Sequence, residues 1–313
     1  MKTLIRFLVI GLLSASAALA RDPIERVVQK SFAVQSGGLL KVETQGGDIT
    51  VTPGAGNEVV VVARQKIRAK NDAEADELLQ KLKLEISQSG NDVTATAKYE
   101  KRPSGLKFRF WPPVQVSFEI TVPARFDTQL GTSGGDVLIG DLTGAIRAGT
   151  TGGDVRIGRI DGTVQASTSG GDIELRESSG AARLDTSGGD IEVGRVVGAT
   201  KITTSGGDID VDTVEGSLNA HTSGGDVTAR INGALADDCS LSTSGGYVKV
   251  TLDKAAAFQL DAATSGGDVD AAGLTIAIER GGIGKSRLVG AVNGGGPKLK
   301  LRTSGGDIEI RTR

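Results

Sequence analysis

The residues best placed to do chemistry form a column of carboxylates. Asp136, Asp154, Asp172, Asp190, Asp208 and Asp226 recur every 18 residues, each preceded by Gly-Gly. If the periods stack as neighbouring strands do, these carboxylates lie about 4.8 Å apart and repel one another by about 0.9 kcal/mol in water, or about 3.5 kcal/mol at an effective dielectric near 20. Two arrangements offset such repulsion: turn N–H groups that donate to each carboxylate, or bound cations. Calcium-binding nonapeptide repeats carry Gly-Gly-x-Gly-x-Asp every nine residues. This chain has neither that spacing nor the extra glycine, so calcium is not indicated and no metal ligand is assigned.

Other reactive residue types are sparse. The single histidine, His221, falls at the fourteenth position of its period, in an outward column with Gly149, Ser167, Asp185 and Thr203, and reads as surface. The single cysteine, Cys239, falls in the inward eleventh column and reads as a small buried hydrophobe, with no partner for an intramolecular disulfide. Gly131-Thr132-Ser133-Gly134-Gly135 matches the hydrolase elbow in form only, since it is one of ten repeat turns without a strand-to-helix setting. Gly281 to Ser286 resembles a phosphate loop but has Glu279 where the leading glycine belongs. No catalytic residue and no cofactor follow from these signals.

Off the repeat, aromatic and basic residues gather between Tyr99 and Phe126. Phe108, Arg109, Phe110 and Trp111 are the candidate contact with a partner, the alternative being cap core with a solvated hairpin.

The elements that must carry these residues are short strands. Counting each period from its Asp, the second position holds Val137, Val155, Ile173, Ile191 and Ile209, and the fourth holds Ile139, Ile157, Leu175, Val193 and Val211. The eleventh and thirteenth positions are again mostly apolar, from Ile146 and Ala148 to Leu218 and Ala220. Alternation of this kind gives two strands per period, with inward faces that only stacking buries. Glycines at position nine and in the Gly-Gly pairs supply corners, where positive φ is tolerated. Thr occupies position fifteen at all ten turns, from Thr44 to Thr303, as a hydroxyl ladder. At position six, Asp141, Arg159, Glu177 and Arg195 set opposite charges on successive coils.

The expected fold is therefore all-β: a parallel β-solenoid, or β-helix, with coils of about 18 residues, plus a small α+β N-terminal insertion or cap. Residues 1–20 read as a signal peptide cleaved between Ala20 and Arg21, residues 21–127 as the cap region with a first repeat turn at Asp48, and residues 128–313 as solenoid. Within the cap, a helix is expected from Asp72 to Leu82 with Asp72 capping it, and strands at 58–63, 83–87, 93–97 and 114–122. After the central block the repeat returns at Tyr247, Asp268 and Asp307, so the chain is expected to finish in a last coil. No transmembrane segment is expected in the mature chain. Without Lys2 and Arg6, 34 basic residues face 38 acidic ones, a formal charge of −4 that argues against nucleic acid as partner.

The signal peptide, the leading Gly-Gly-Asp turn, the helix, the Val122-Pro123 step and the serial Thr-Ser-Gly-Gly-Asp turns resemble the bacterial DUF4097 family of candidate adhesins. The resemblance implies a β-strand repeat protein of the cell envelope and no catalytic residues. The reading that results is an exported, non-enzymatic adhesin or envelope scaffold, periplasmic or at the cell surface, whose partner is an unidentified envelope or surface component, protein or polysaccharide. The alternative is a polysaccharide-acting lyase or hydrolase built on a β-helix.

Overall fold

The computed structural model describes residues 23–99 and 112–313. Each central coil runs out along one sheet and back along another. Val155–Asp161, for instance, lies in the first sheet, Gly162 turns the corner, Val164–Ser167 lies in the second, and a Thr-Ser-Gly-Gly-Asp turn leads into Ile173–Ser178. Pairing is parallel and advances by one period per coil: Val155 faces Ile173, Ile173 faces Ile191 and Ile191 faces Ile209 in the first sheet, while Val164 faces Ala182 and Ala182 faces Thr200 in the second. Both sheets have 14 strands, about 60 Å of stack at the usual strand spacing.

The core lies between the sheets. The inward columns at positions two, four, seven, eleven and thirteen are buried throughout the central coils, Ser178 and Thr200 among them. The coils from Asp136 to Asp226 contain only aliphatic and small polar residues in this core, whereas the fully buried aromatics among the described residues, Phe118, Phe126 and Phe258, sit toward its two ends. Burying an aromatic fills the wider, less regular space left where stacking stops.

At the N-terminal end, Leu39–Thr44 and Ile49–Gly54 form a coil that stacks directly on Asp127–Gly131 and Val137–Ile139, although paired residues are 88 apart in the sequence. Outside it, Asp92–Tyr99 and Val114–Pro123 make a further parallel layer. The sense of pairing then reverses: Leu82–Ser89 and Glu58–Ile67 run antiparallel to that layer, and Ile24–Ala33 closes the first sheet. The helix spans Asp72–Gln80, and its N-cap is Asn71, not Asp72: the Asn71 side chain accepts from Glu74 N at 2.9 Å. Asn71 has the extended backbone a cap requires, while Asp72 already belongs to the first turn. The strand Ile24–Ala33 had no sequence signal because Arg26 and Lys30 fall on its alternating pattern. Arg26 instead reaches Asp72 at 2.5 Å and Lys30 the carbonyl of Ile86 at 2.9 Å, charges that blunt an exposed edge.

At the other end the order of coils departs from the order of sequence. Lys298–Thr303 pairs with Cys239–Ser242 on one side and Phe258–Thr264 on the other, and Ile308–Thr312 lies between Val248–Leu252 and Val269–Asp270. The coil of Asp307 is thus inserted between those of Tyr247 and Asp268 instead of finishing the stack. The coil of Asp268 has only two residues in the first sheet, so it suits the outside, whereas the coil of Asp307 pairs over five residues there and buries Leu299, Leu301, Ile308 and Ile310 completely. Ile276–Gly284 and Arg287–Val292 finish the second sheet as an antiparallel pair. Among the described residues no helix is long and apolar enough to cross a membrane.

Candidate binding surfaces

The carboxylate column is occupied by the backbone. Asp136 Oδ1 accepts from Asp154 N at 2.9 Å, and the same bond links Asp172 to Asp154, Asp190 to Asp172, Asp208 to Asp190 and Asp226 to Asp208 at 2.8–2.9 Å. It extends to Asp48 at one end, through Asp136 N at 3.0 Å, and to Asp226 at the other, which accepts from Tyr247 N. An N–H donated to each carboxylate offsets the repulsion along the row, the first of the two arrangements expected. Among the described residues, no group of three or more His, Cys, Asp or Glu side chains is arranged to hold a metal ion.

The threonines are used in the same way. Thr150 Oγ1 donates to Gly135 O at 2.8 Å, Thr168 to Gly153 at 2.8 Å and Thr186 to Gly171 at 3.0 Å, each reaching the preceding turn. The glycine after the Thr-Ser-Gly step is needed for closeness, not for positive φ. A Cβ on Gly171 would stand 2.1 Å from Gly153 O and 2.5 Å from Asp154 Oδ1. Among the second glycines of these turns only Gly47 has φ in the left-handed range, whereas at position nine Gly144, Gly162, Gly198 and Gly216 do, with φ of 148–158°.

With the repeated Asp and Thr side chains engaged, the charged outward columns distinguish the two faces. On the first sheet, Glu174, Glu192 and Asp210 stand beside Asp172, Asp190 and Asp208 along a shallow groove of ≈ 290 Å³, with Arg156 at its end. Burial pushes the Asp210 carboxyl above its ordinary range, with Asp208 next to it adding to the effect. On the second sheet, Arg147, Gln165, Arg183 and Lys201 line a groove of ≈ 320 Å³ floored by small residues such as Ala145 and Ala181. Its Arg183 is held by Asp185 at 2.8 Å. The chain therefore carries an acidic row on one face and a basic row on the other. A third cleft, of ≈ 400 Å³, lies at the first turn between Gln45, Asp48, Lys66, Pro112, Gln115 and Ser117.

The remaining candidates resolve simply. His221 is exposed, its Nδ1 2.9 Å from Ser242 Oγ. Cys239 is buried, which pushes its thiol up, and its sulfur accepts from Leu218 N at 3.4 Å. Gly281 to Ser286 falls in a β-hairpin, with no helix for a phosphate to cap. The charge column at position six forms, with Arg195 2.8 Å from Glu177 and 3.0 Å from Glu215, a partner from the next coil that the column reading missed. Tyr99 is buried in the cap, its hydroxyl pushed up to about 12 by burial. Phe108, Arg109, Phe110 and Trp111, like the cleavage pair Ala20 and Arg21, lie outside the described residues.

Comparison with known proteins gives one family. The model of the Toastrack DUF4097 family matches residues 39–311. No curated protein matches the sequence. Similar solved structures include a candidate adhesin from Bacteroides fragilis (15% identity, TM-score 0.44, covering 92% of this chain and 98% of that one). Others are a candidate cell-adhesion protein from Clostridium sporogenes (11% identity, TM-score 0.24, 93% and 100% covered) and a candidate lipid-binding protein from Parabacteroides distasonis (11% identity, TM-score 0.29, 92% and 96% covered).

Proposed function

Since the chain belongs to the Toastrack DUF4097 family, we propose that it is an exported, non-enzymatic, adhesin-like scaffold that binds a component of the cell envelope or cell surface along its solenoid faces. One observation carries this reading. The Asp and Thr side chains that recur in the repeat are engaged between coils, and among the described residues the charged side chains left outward form extended rows, not a converging acid, base and charge-stabilising set of the kind catalysis requires. Rows of like charge repeated at strand spacing suit an extended or repetitive partner of opposite charge, which meets the same chemistry at every step.

The test reverses each row separately. One variant carries Glu174→Lys, Glu192→Lys and Asp210→Lys, the other Arg147→Glu, Arg183→Glu and Lys201→Glu. Binding to intact cells and to purified envelope polysaccharides is then measured at low and high salt. One variant is expected to lose at least tenfold in affinity while keeping its melting temperature within a few degrees. Turnover of a polysaccharide by the unaltered chain, abolished by either set, would establish the lyase or hydrolase reading instead. Export is read separately, from whether residues 1–21 direct a reporter out of the cytoplasm with cleavage after Ala20.

A further inference from the structure

The inserted coil is a separable piece with its own recognition chemistry. Residues 298–313 form a strand, a Thr-Ser-Gly-Gly-Asp turn and a second strand, laid between a wall made by residues 239–252 and a wall made by residues 258–270. The segment carries five basic residues, Lys298, Lys300, Arg302, Arg311 and Arg313, against Asp307 and Glu309. The slot that receives it is edged with aspartates. Arg302 reaches Asp261 at 2.6 Å, Arg311 reaches Asp270 at 2.8 Å and Arg313 reaches Asp253 at 2.9 Å, while Asp238 accepts from Lys298 N at 2.7 Å. Most of the ion pairs are thus of one sense, basic on the insert and acidic on the slot, with Lys249–Glu309 at 3.5 Å running the other way.

The connection to the insert is narrow. It is the run Asn293-Gly294-Gly295-Gly296-Pro297, in which Asn293, Gly294 and Gly295 have φ of 49°, 92° and 82°. The Asn293 side chain pins the start of this run to the carbonyls of Lys254 and Ala256 at 3.0 and 2.9 Å. A five-residue link of this composition is a hinge about which the following coil can be carried to another slot.

We propose that the slot between the coils of Tyr247 and Asp268 is an interface for a second copy of this chain, filled by that copy's residues 298–313 in reciprocal exchange. Two solenoids are then joined through their distal ends. Every hydrogen bond and ion pair of the insert is the same whether it comes from its own chain or from the partner, so the balance is set by protein concentration against the effective concentration of the tethered insert. The four aspartates steer an incoming basic coil and fix its sense.

The exchange is read with the full chain carrying Cys239→Ala. Ser240 and Lys300 are paired in register and neither is buried. One chain carries Ser240→Cys and another Lys300→Cys; they are mixed, refolded from urea at high protein concentration and oxidised. The expected product is a cross-linked species of twice the mass holding one chain of each kind, in excess of either homodimer and rising with concentration at refolding. The double variant, refolded dilute, gives the internal cross-link of the closed form. Deleting Gly294–Gly296 hinders self-closure and is expected to raise the dimer share at micromolar protein roughly a hundredfold by light scattering. The proposal is overturned if the double variant closes on itself while the mixed single variants give no heterodimer, or if the shortened chain folds and stays monomeric. Should the shortened chain fail to fold, the cross-linking of the unshortened chains decides.

Discussion

The shaft and the ends of this molecule solve the same problem by different means. In the coils from Asp136 to Asp226, each turn hands the next one carboxylate oxygen and one carbonyl, and receives one N–H and one hydroxyl. Contacts there are identical, close and intolerant of added atoms. At the N-terminal end antiparallel strands, a helix, the charged edge residues Arg26 and Lys30, and buried aromatics stop the stack. At the distal end ion pairs such as Arg311–Asp270 and Arg313–Asp253 hold unlike pieces together. The shaft is specified by sameness and the ends by individual side chains, as expected where each repeat contacts only its neighbours.

The sharpest way to break this contrast is a single methyl group. Gly171→Ala places a Cβ against backbone and is expected to destabilise the chain by about 3 kcal/mol or more, whereas Gly90→Ala in the cap hairpin meets nothing within 4 Å and bears only the strain of φ 61°, about 1 kcal/mol. Urea titration of both variants measures the gap; equal losses would mean that close stacking is not what sets the shaft apart. A smaller effect separates chemistry from charge in the ladder. Asp190→Ala removes the acceptor for Asp208 N and is expected to cost about 1 kcal/mol, while Asp190→Asn keeps an acceptor oxygen and restores most of it. If Asn behaves like Ala, the carboxylate's charge matters and the cation arrangement returns.

The smallest effect is one of sign. Asp270 at the distal end is held below the ordinary carboxylate range by its hydrogen bond with Arg311, so its stabilisation is present at neutral pH and is lost as pH falls through its folded-state value. Asp210 on the shaft is pushed up by burial, so it opposes folding at neutral pH and the penalty disappears as pH falls through its raised value. Accordingly Asp270→Asn is expected to lower the melting temperature at pH 7 and Asp210→Asn to raise it, and both differences close on acidification. Thermal scans from pH 7 to 3 read this directly.

What the sequence discloses follows the same division. The inward columns lie within one period, the strand pairs and the ion pairs at position six join successive periods, and all of them repeat, so Val155, Ile173 and Ile191 report the same environment three times over. The stacking of Asp48 on Asp136, and of Asp307 between Tyr247 and Asp268, is not local. Any Thr-x-Gly-Gly-Asp coil offers the same bonds to any other, so the motif fixes register within a pair of coils but not which coils pair. Asn71 and Asp72 offer the same capping chemistry one residue apart, so the letters do not choose between them, and spacing shows the turn glycines' conformational freedom but not the carbonyl stacked against them. The two charged rows were present in the letters as outward positions, but their segregation onto opposite faces required the fold.

The ladder has a sense. The Asp N–H and Thr hydroxyl groups of the ladder point toward the same end, and the displaced coil obeys this: Asp268 N donates to Asp307 and Thr264 Oγ1 to Gly306, against the order of the sequence. The shaft behaves as a one-dimensional polar crystal with an 18-residue unit cell. A duplicated unit enters at any rung and finds its bonds already waiting on both sides, while a reversed one finds none. Length can therefore grow or shrink by whole cells without redesign, and direction cannot change at all.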